Sequence, residues 1–313
     1  MTQPDRIHFG TDGWRAIINE DFNPASVARV ADAAAHIFRS SYPGAGNTLI
    51  IGYDCRTDAG RYAALVGAVC AAQGFEVKLS DRYCPTPALC WSIAQDTDAV
   101  GGLMLTSSHN PAEYLGIKLR MTDGGASPAS FTSEVEAALA DEPPAGFDQA
   151  LAAFAEADNG TPESPAAALT SAPALQFIDL MAPYLATLKA SVDGALIAGS
   201  GLRIVLDPLF GAGRTYLAQV LRDLGVEVVE VNGTNDPSFN GLHPEPILPW
   251  VKTGAQKVVE LGYDACFVTD GDADRIGALD EFGSYVSSHR ILTLLVGHLA
   301  EDRGRTGRVV RNL

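Results

Sequence analysis

Nowhere does this chain carry the roughly 20 consecutive apolar residues that would cross a bilayer. Its opening segment, MTQPDRIHFGTDGWR, also lacks the basic stretch and apolar core of a secretory leader, so a cytoplasmic protein is the expectation. Positive charge is scarce: 22 Lys and Arg stand against 38 Asp and Glu, for a net charge of −16. Long-range repulsion then argues against nucleic acid or an anionic membrane as partner, and an anionic substrate must find a locally positive cleft. Cysteine is sparse and scattered, at Cys55, Cys70, Cys84, Cys90 and Cys266 with no Cys-x-x-Cys pair, which excludes a disulfide framework and a zinc site and leaves reduced, mostly core thiols.

What is abundant is apolar surface to bury. At 47% hydrophobic residues over 313 positions, the chain has material for two or more cores. An apolar run, TLIIGY from Thr48, ends in Asp54 and a Gly-containing turn before a helical pattern from Arg61 to Gln73. A strand at Phe75 to Leu79, a Pro-started helix near Pro87 to Ala94 and a strand at Ala99 to Leu105 follow. Alternation of this kind predicts a mainly parallel sheet covered on both faces.

The same order returns: strand Leu202 to Leu206, turn GAGR, helix Thr215 to Leu224, strand Val226 to Val231, helix Trp250 to Leu261, strand Ala265 to Thr269. Asp54, Gly60 and Arg61 recur at one constant spacing as Asp207, Gly213 and Arg214. PTPAL at Pro85 is answered by PEPIL at Pro244, and DAVGGLMLTSS at Asp98 by DACFVTDGD at Asp264. Agreement in element order and turn chemistry reads as internal duplication. The expected fold is therefore α/β, with tandem α/β/α sandwich domains: residues 1–174 with a helix-bearing linker from 122, and residues 175–285. Residues 286–313, with a helix from Ile291 and a strand-like GRVVRNL, read as the start of an incomplete third domain.

In such sheets ligands bind beyond the carboxyl ends of the strands. Both third strands end in unusual sequence there, Thr106-Ser107-Ser108-His109-Asn110-Pro111 and Asp270-Gly271-Asp272-Ala273-Asp274-Arg275. Three alternating aspartates concentrate negative charge that a hard divalent cation relieves, and all-oxygen ligation favours magnesium or calcium. An EF-hand loop matches at Asp270, Asp272, Asp274 and Glu281. It fails at Arg275, where Gly is needed, at Gly277, where an apolar residue belongs, and in a segment that enters as strand. Around Ser108 the Gly-x-Ser-x-Gly elbow of triad hydrolases is absent. A hydroxyl on one domain facing a carboxylate cage on the other suits phosphoryl transfer.

At these loops the sequence closely resembles the α-D-phosphohexomutase family of phosphoglucomutases and phosphomannomutases. The resemblance rests on FGTDGWRA from Phe9, GYDCR from Gly52, TSSHNPAEYLGIK from Thr106, DPLFGAG from Asp207 and DGDADR from Asp270. It implies magnesium-dependent interconversion of hexose 1- and 6-phosphates through a phosphorylated Ser108 and a sugar bisphosphate, with a glucose 1,6-bisphosphate-type activator. It implies that Ser108 joins Asp270, Asp272 and Asp274 around the metal, that Lys118 is the general acid/base, that His109 supports the loop, and that Arg15 and Arg275 face the phosphoryl group.

This chain has Leu115-Gly116 where the family has Asn-Gly, and it contains neither the family's sugar-selecting Gly-Glu loop nor its Ser-Gly-Thr phosphate loop. An incomplete copy of a four-domain mutase is the resulting expectation. A phosphosugar-binding remnant without turnover and a weak phosphatase are the alternatives. The choice among glucose, mannose and glucosamine phosphates, and the oligomeric state, are not written in these residues.

Overall fold

A computed structural model describes residues 7–42, 44 and 46–310. The first unit opens with strand β1 (Trp14–Ile17) and helix α1 (Pro24–Ser41). Asn23 caps α1, its Oδ1 accepting from the amides of Ala25 and Ser26 at 3.1 Å, while Pro24 supplies a first residue that needs no amide partner. Then come β2 (Thr48–Tyr53), α2 (Ala59–Ala72), β3 (Glu76–Ser80), α3 (Thr86–Gln95), β4 (Ala99–Leu105) and β5 (Tyr114–Arg120). Helices α4 (Ala129–Ala137) and α5 (Phe147–Glu156) and strand β6 (Leu175–Ile178) complete it.

The sheet runs β1-β5-β4-β2-β3-β6. Strands β4, β2, β3 and β6 are parallel, whereas β1 and β5 join antiparallel at one edge. Strands β2 and β4 are buried throughout, as continuous apolar runs should be in a sheet covered on both faces. A Cβ at Gly102 would collide with the Ile50 carbonyl of β2 and meet Ile93 Cδ1 of α3 at 2.6 Å, so this point of the sheet requires glycine.

Helices α6 (Met181–Ala190) and α7 (Gly194–Gly199) lead into a second sheet built from β7 (Arg203–Asp207), α8 (Tyr216–Asp223), β8 (Glu227–Glu230), α9 (Lys252–Leu261), β9 (Ala265–Thr269), β10 (Ile276–Asp280) and β11 (Tyr285–Val286). Its order is β11-β10-β9-β7-β8, with β7 parallel to both neighbours and β10 antiparallel to β9. The β5-β4-β2-β3 core of the first unit thus recurs as β10-β9-β7-β8, which is the topology duplication predicts. Val205 packs on one side of this sheet, Ile204 and Leu206 on the other, giving two small cores where the first unit has one large one.

Four expectations change. The segment from 122 is no linker: α4 and α5 pack on α1 and α2, with the Phe154 ring 4.9 Å from Tyr62 and Arg61 stacked on Phe154 at 4.2 Å. Because β6 pairs with β3, the first unit's sheet extends past 174 to Ile178, and β11 carries the second sheet to Val286. The duplicated loops align differently from the matched Asp98 and Asp264: the ladders set Tyr53 beside Leu105 and Leu206 beside Phe267. Since Tyr53 and Leu206 immediately precede the matching Asp54 and Asp207, Leu105 corresponds to Phe267, and counting on, Ser108 corresponds to Asp270. Finally, the helix from Ile291 forms as α10 (Ser288–Gly297), but residues 307–310 are exposed and pair with neither sheet, so they are not a strand, and 311–313 lie outside the described residues. All five cysteines are free thiols. Among the described residues no helix is long and apolar enough to cross a membrane.

Candidate functional site

The loops after β4 and β9 meet face to face between the two units. A Cβ on Gly271 would collide with the Ser108 carbonyl, so the backbones of the two loops approach too closely for any side chain at that position. The aspartate loop is held from its own unit, the Gly271 carbonyl accepting from the amide of Ala212 at 2.8 Å and its amide donating to the Pro244 carbonyl at 3.1 Å. These contacts use DPLFGAG and PEPIL as braces.

On the first unit, Ser108 sits fully buried with φ at 55°, a left-handed conformation that turns its side chain toward the second unit. Its Oγ donates to Asp270 Oδ2 at 3.2 Å, and His109 Nδ1 lies 3.4 Å from Ser108 Oγ. Arg275 Nη1 is 3.0 Å from His109 Nδ1, and because a guanidinium only donates, that nitrogen is an acceptor here. Partial burial and the Arg275 charge hold the His109 pKa below its usual value. Arg15 reaches the same loop by donating to Asn110 Oδ1 at 2.5 Å.

Strand β5 carries Lys118 into the middle of the cluster. Its Nζ is 2.7 Å from Asp272 Oδ2, 2.8 Å from Asp274 Oδ2 and 3.0 Å from Asp12 Oδ2. Burial alone would lower the Lys118 pKa, but the three carboxylates outweigh it and hold the ammonium protonated. Asp272 is likewise kept ionised despite full burial, by Lys118 and by Thr86, whose Oγ1 donates to Oδ2 at 2.5 Å. Burial and the neighbouring charges of Asp272 and Asp274 push Asp270 the other way, well above the carboxylate range.

Carboxylate oxygens of Asp270, Asp272 and Asp274 lie within 4.8 Å of one another. Asp272 Oδ1 is buried and has no hydrogen-bond partner, an unmet acceptor on a residue of the carboxylate cluster. A hard divalent cation of magnesium type fits that donor set. The EF-hand alternative fails, since the loop is entered from β9 and left through β10, with no helix on either side.

Seven of the eight residues singled out in the sequence, Ser108, His109, Lys118, Asp270, Asp272, Asp274 and Arg275, are linked by hydrogen bonds or ion pairs at the meeting of the two loops, and Arg15 joins through Asn110. The sequence reading missed others. Thr86, in PTPAL, binds Asp272 through its amide (2.9 Å to the carbonyl) as well as its hydroxyl. Asp12, in FGTDGWR, pairs with both Lys118 and Arg120. Arg56, in GYDCR, is fully buried beneath the serine loop with Asp54. Their motifs were visible, but nothing local distinguished a brace from a turn residue.

Comparison with known proteins agrees with this architecture. The family model described as phosphoglucomutase/phosphomannomutase alpha/beta/alpha domain I matches residues 6–145, and the corresponding domain II model matches residues 182–283. The phosphoglucosamine mutase of Carboxydothermus hydrogenoformans is 28% identical over 95% of this chain and 61% of its own length. The phosphoglucomutase/phosphomannomutase of Thermococcus kodakarensis is 29% identical over 95% of this chain and 60% of its own. A crystal structure from Thermus thermophilus whose name carries the phosphomannomutase label superimposes with a TM-score of 0.81 at 29% identity, covering 96% of this chain and 63% of that one. The chain thus spans about three fifths of the length of these relatives.

Proposed function

This chain belongs to the phosphoglucomutase/phosphomannomutase family, and from that premise we propose that it transfers phosphoryl groups on hexose phosphates, with Ser108 as the carrier. The observation that carries the reading is the 3.2 Å contact between Ser108 Oγ and Asp270 Oδ2, which sets a hydroxyl of one unit against the carboxylate cluster of the other.

In the forward half-reaction a free sugar hydroxyl attacks the phosphoserine. A new sugar O–P bond forms, the Ser108 Oγ–P bond breaks, the hydroxyl gives up its proton and Oγ takes one. The bisphosphate so formed turns round and returns its other phosphoryl group to Ser108. A magnesium ion held by Asp270, Asp272, Asp274 and the phosphoserine would neutralise phosphate oxygens. Lys118, held protonated by Asp12, Asp272 and Asp274, is the candidate acid of the transfer. His109, kept neutral, offers a nearby acceptor. Arg15 and Arg275 supply positive charge beside the serine loop of an otherwise acidic protein.

Incubation with glucose 1,6-bisphosphate and magnesium should add one phosphate to the intact mass, mapping to Ser108 and lost in Ser108→Ala. An adduct elsewhere, or one that survives the substitution, sinks the assignment. A coupled assay for conversion of glucose 1-phosphate to glucose 6-phosphate tests turnover, and free phosphate release reports a phosphatase instead.

A further inference from the structure

Beneath the serine loop lies a fully buried cation. The Arg56 side chain has no exposed surface, and each of its five N–H groups meets an acceptor. Nη1 donates to the carbonyls of Pro111 (2.7 Å) and Tyr114 (2.9 Å), Nη2 to those of Ser108 (2.9 Å) and Asn110 (2.7 Å), and Nε to Asp54 Oδ2 (3.2 Å). Three carbonyls of the serine loop and that of Tyr114, where β5 begins, thus converge on a single guanidinium. A ring of hydrogen bonds closes around Ser108 itself: its amide donates to Thr106 Oγ1 at 2.9 Å, and that hydroxyl donates to Asp54 Oδ2 at 2.6 Å. From the second unit, the buried Phe239 ring covers the guanidinium at 4.9 Å.

The duplication supplies an internal comparison. Asp207 repeats the Asp54 turn, accepting from the Leu209 amide at 3.0 Å just as Asp54 accepts from the Arg56 amide at 3.0 Å. The second unit therefore makes the turn without an arginine: Leu209 stands where Arg56 stands, and its partner loop bears aspartates rather than a serine. The extra cation accompanies the serine.

We infer that Arg56 is a positioning residue, which fixes the carbonyls of residues 108–114 so that the Ser108 hydroxyl is presented to Asp270 in its left-handed conformation. The inference rests on the phosphoserine reading for its chemical consequence, and on hydrogen bonding alone for its mechanical one. Lysine keeps the charge but has three donors, too few and too pointlike for four carbonyls and a carboxylate.

The test is Arg56→Lys in the full chain, measured two ways. With glucose 1,6-bisphosphate and magnesium, the saturating rate of Ser108 phosphorylation should fall about 100-fold, the effect of a roughly 1 Å misplacement, while the half-saturating bisphosphate concentration stays unchanged. A merely structural role would lower the melting temperature without this split. Hydrogen exchange of peptides spanning 107–114 should quicken while those from β2 and β4 hold. A wild-type rate, or unaltered loop exchange in the folded variant, overturns the inference. If the wild-type chain itself takes no phosphate, the functional reading fails and the exchange measurement alone decides. Should Arg56→Lys not fold, Thr106→Val cuts the same ring at its hydroxyl and should shift both measurements in the same direction, and no shift would count against the inference.

Discussion

Replacing Lys118 by methionine removes one ammonium from three carboxylates and keeps the apolar stem. In the metal-free protein Asp272 would be left fully buried, with only Thr86 and the more distant Arg56 charge to oppose its own. Deleting one partner of a buried ion pair costs about 3–5 kcal/mol, because the remaining charge stays desolvated. At about 2–4 °C per kcal/mol, the melting temperature should drop by at least about 6 °C. Magnesium should then return more to the variant than to the wild type, since Lys118 Nζ is paired with Asp272 and Asp274, two of the three carboxylates a cation would use. The assay is a melting curve with and without saturating magnesium, together with calorimetric affinity, both independent of catalysis. A variant as stable as wild type without metal, or one that gains no more from magnesium, would refute the competition argued from these distances.

Asp207 is buried with its carboxyl pushed up to about 6, and burial is the cause. The native state binds the extra proton between the ordinary value of 3.8 and about 6, so Asp207 should subtract about 2–3 kcal/mol as pH rises through that window, a slope that Asp207→Asn should flatten in denaturation series at pH 4 to 7. Gly271→Ala should drive the two loops apart at the Ser108 carbonyl and slow Ser108 phosphorylation about 100-fold with little change in the circular dichroism of either unit. Leu294, Leu295 and Leu299 are half or more exposed, and their joint replacement by serine should reduce concentration-dependent association on size-exclusion chromatography while leaving the melting temperature in place.

Much of this was legible in the residues because local physics announces it. Buried parallel strands read as unbroken apolar runs, and the predicted bounds Thr48–Tyr53, Ala99–Leu105 and Ala265–Thr269 coincide with β2, β4 and β9. Polar sequence at the ends of such strands marked both reactive loops. Less legible were the four-residue β1 and the antiparallel β5, whose pairing joins Arg15 to Gly116 across a hundred residues of chain. Helices α4 and α5 read as linker because their Ala- and Pro-rich surroundings hide the aromatic contact of Phe154 with Tyr62.

The sequence alone determined which groups are present and on which strand ends they stand, since hydrophobic periodicity and turn chemistry act over a few residues. Which groups meet was decided by the tertiary structure. Thr86 with Asp272, Lys118 with Asp274, and Arg56 with Phe239 are pairs whose members fall in different units and carry no mutual signal along the chain. Burial between the units then sets the charges: Asp270 and Asp272, alike in sequence, are driven in opposite directions because the dry interface brings Lys118 and Thr86 to one and leaves the other with fewer partners.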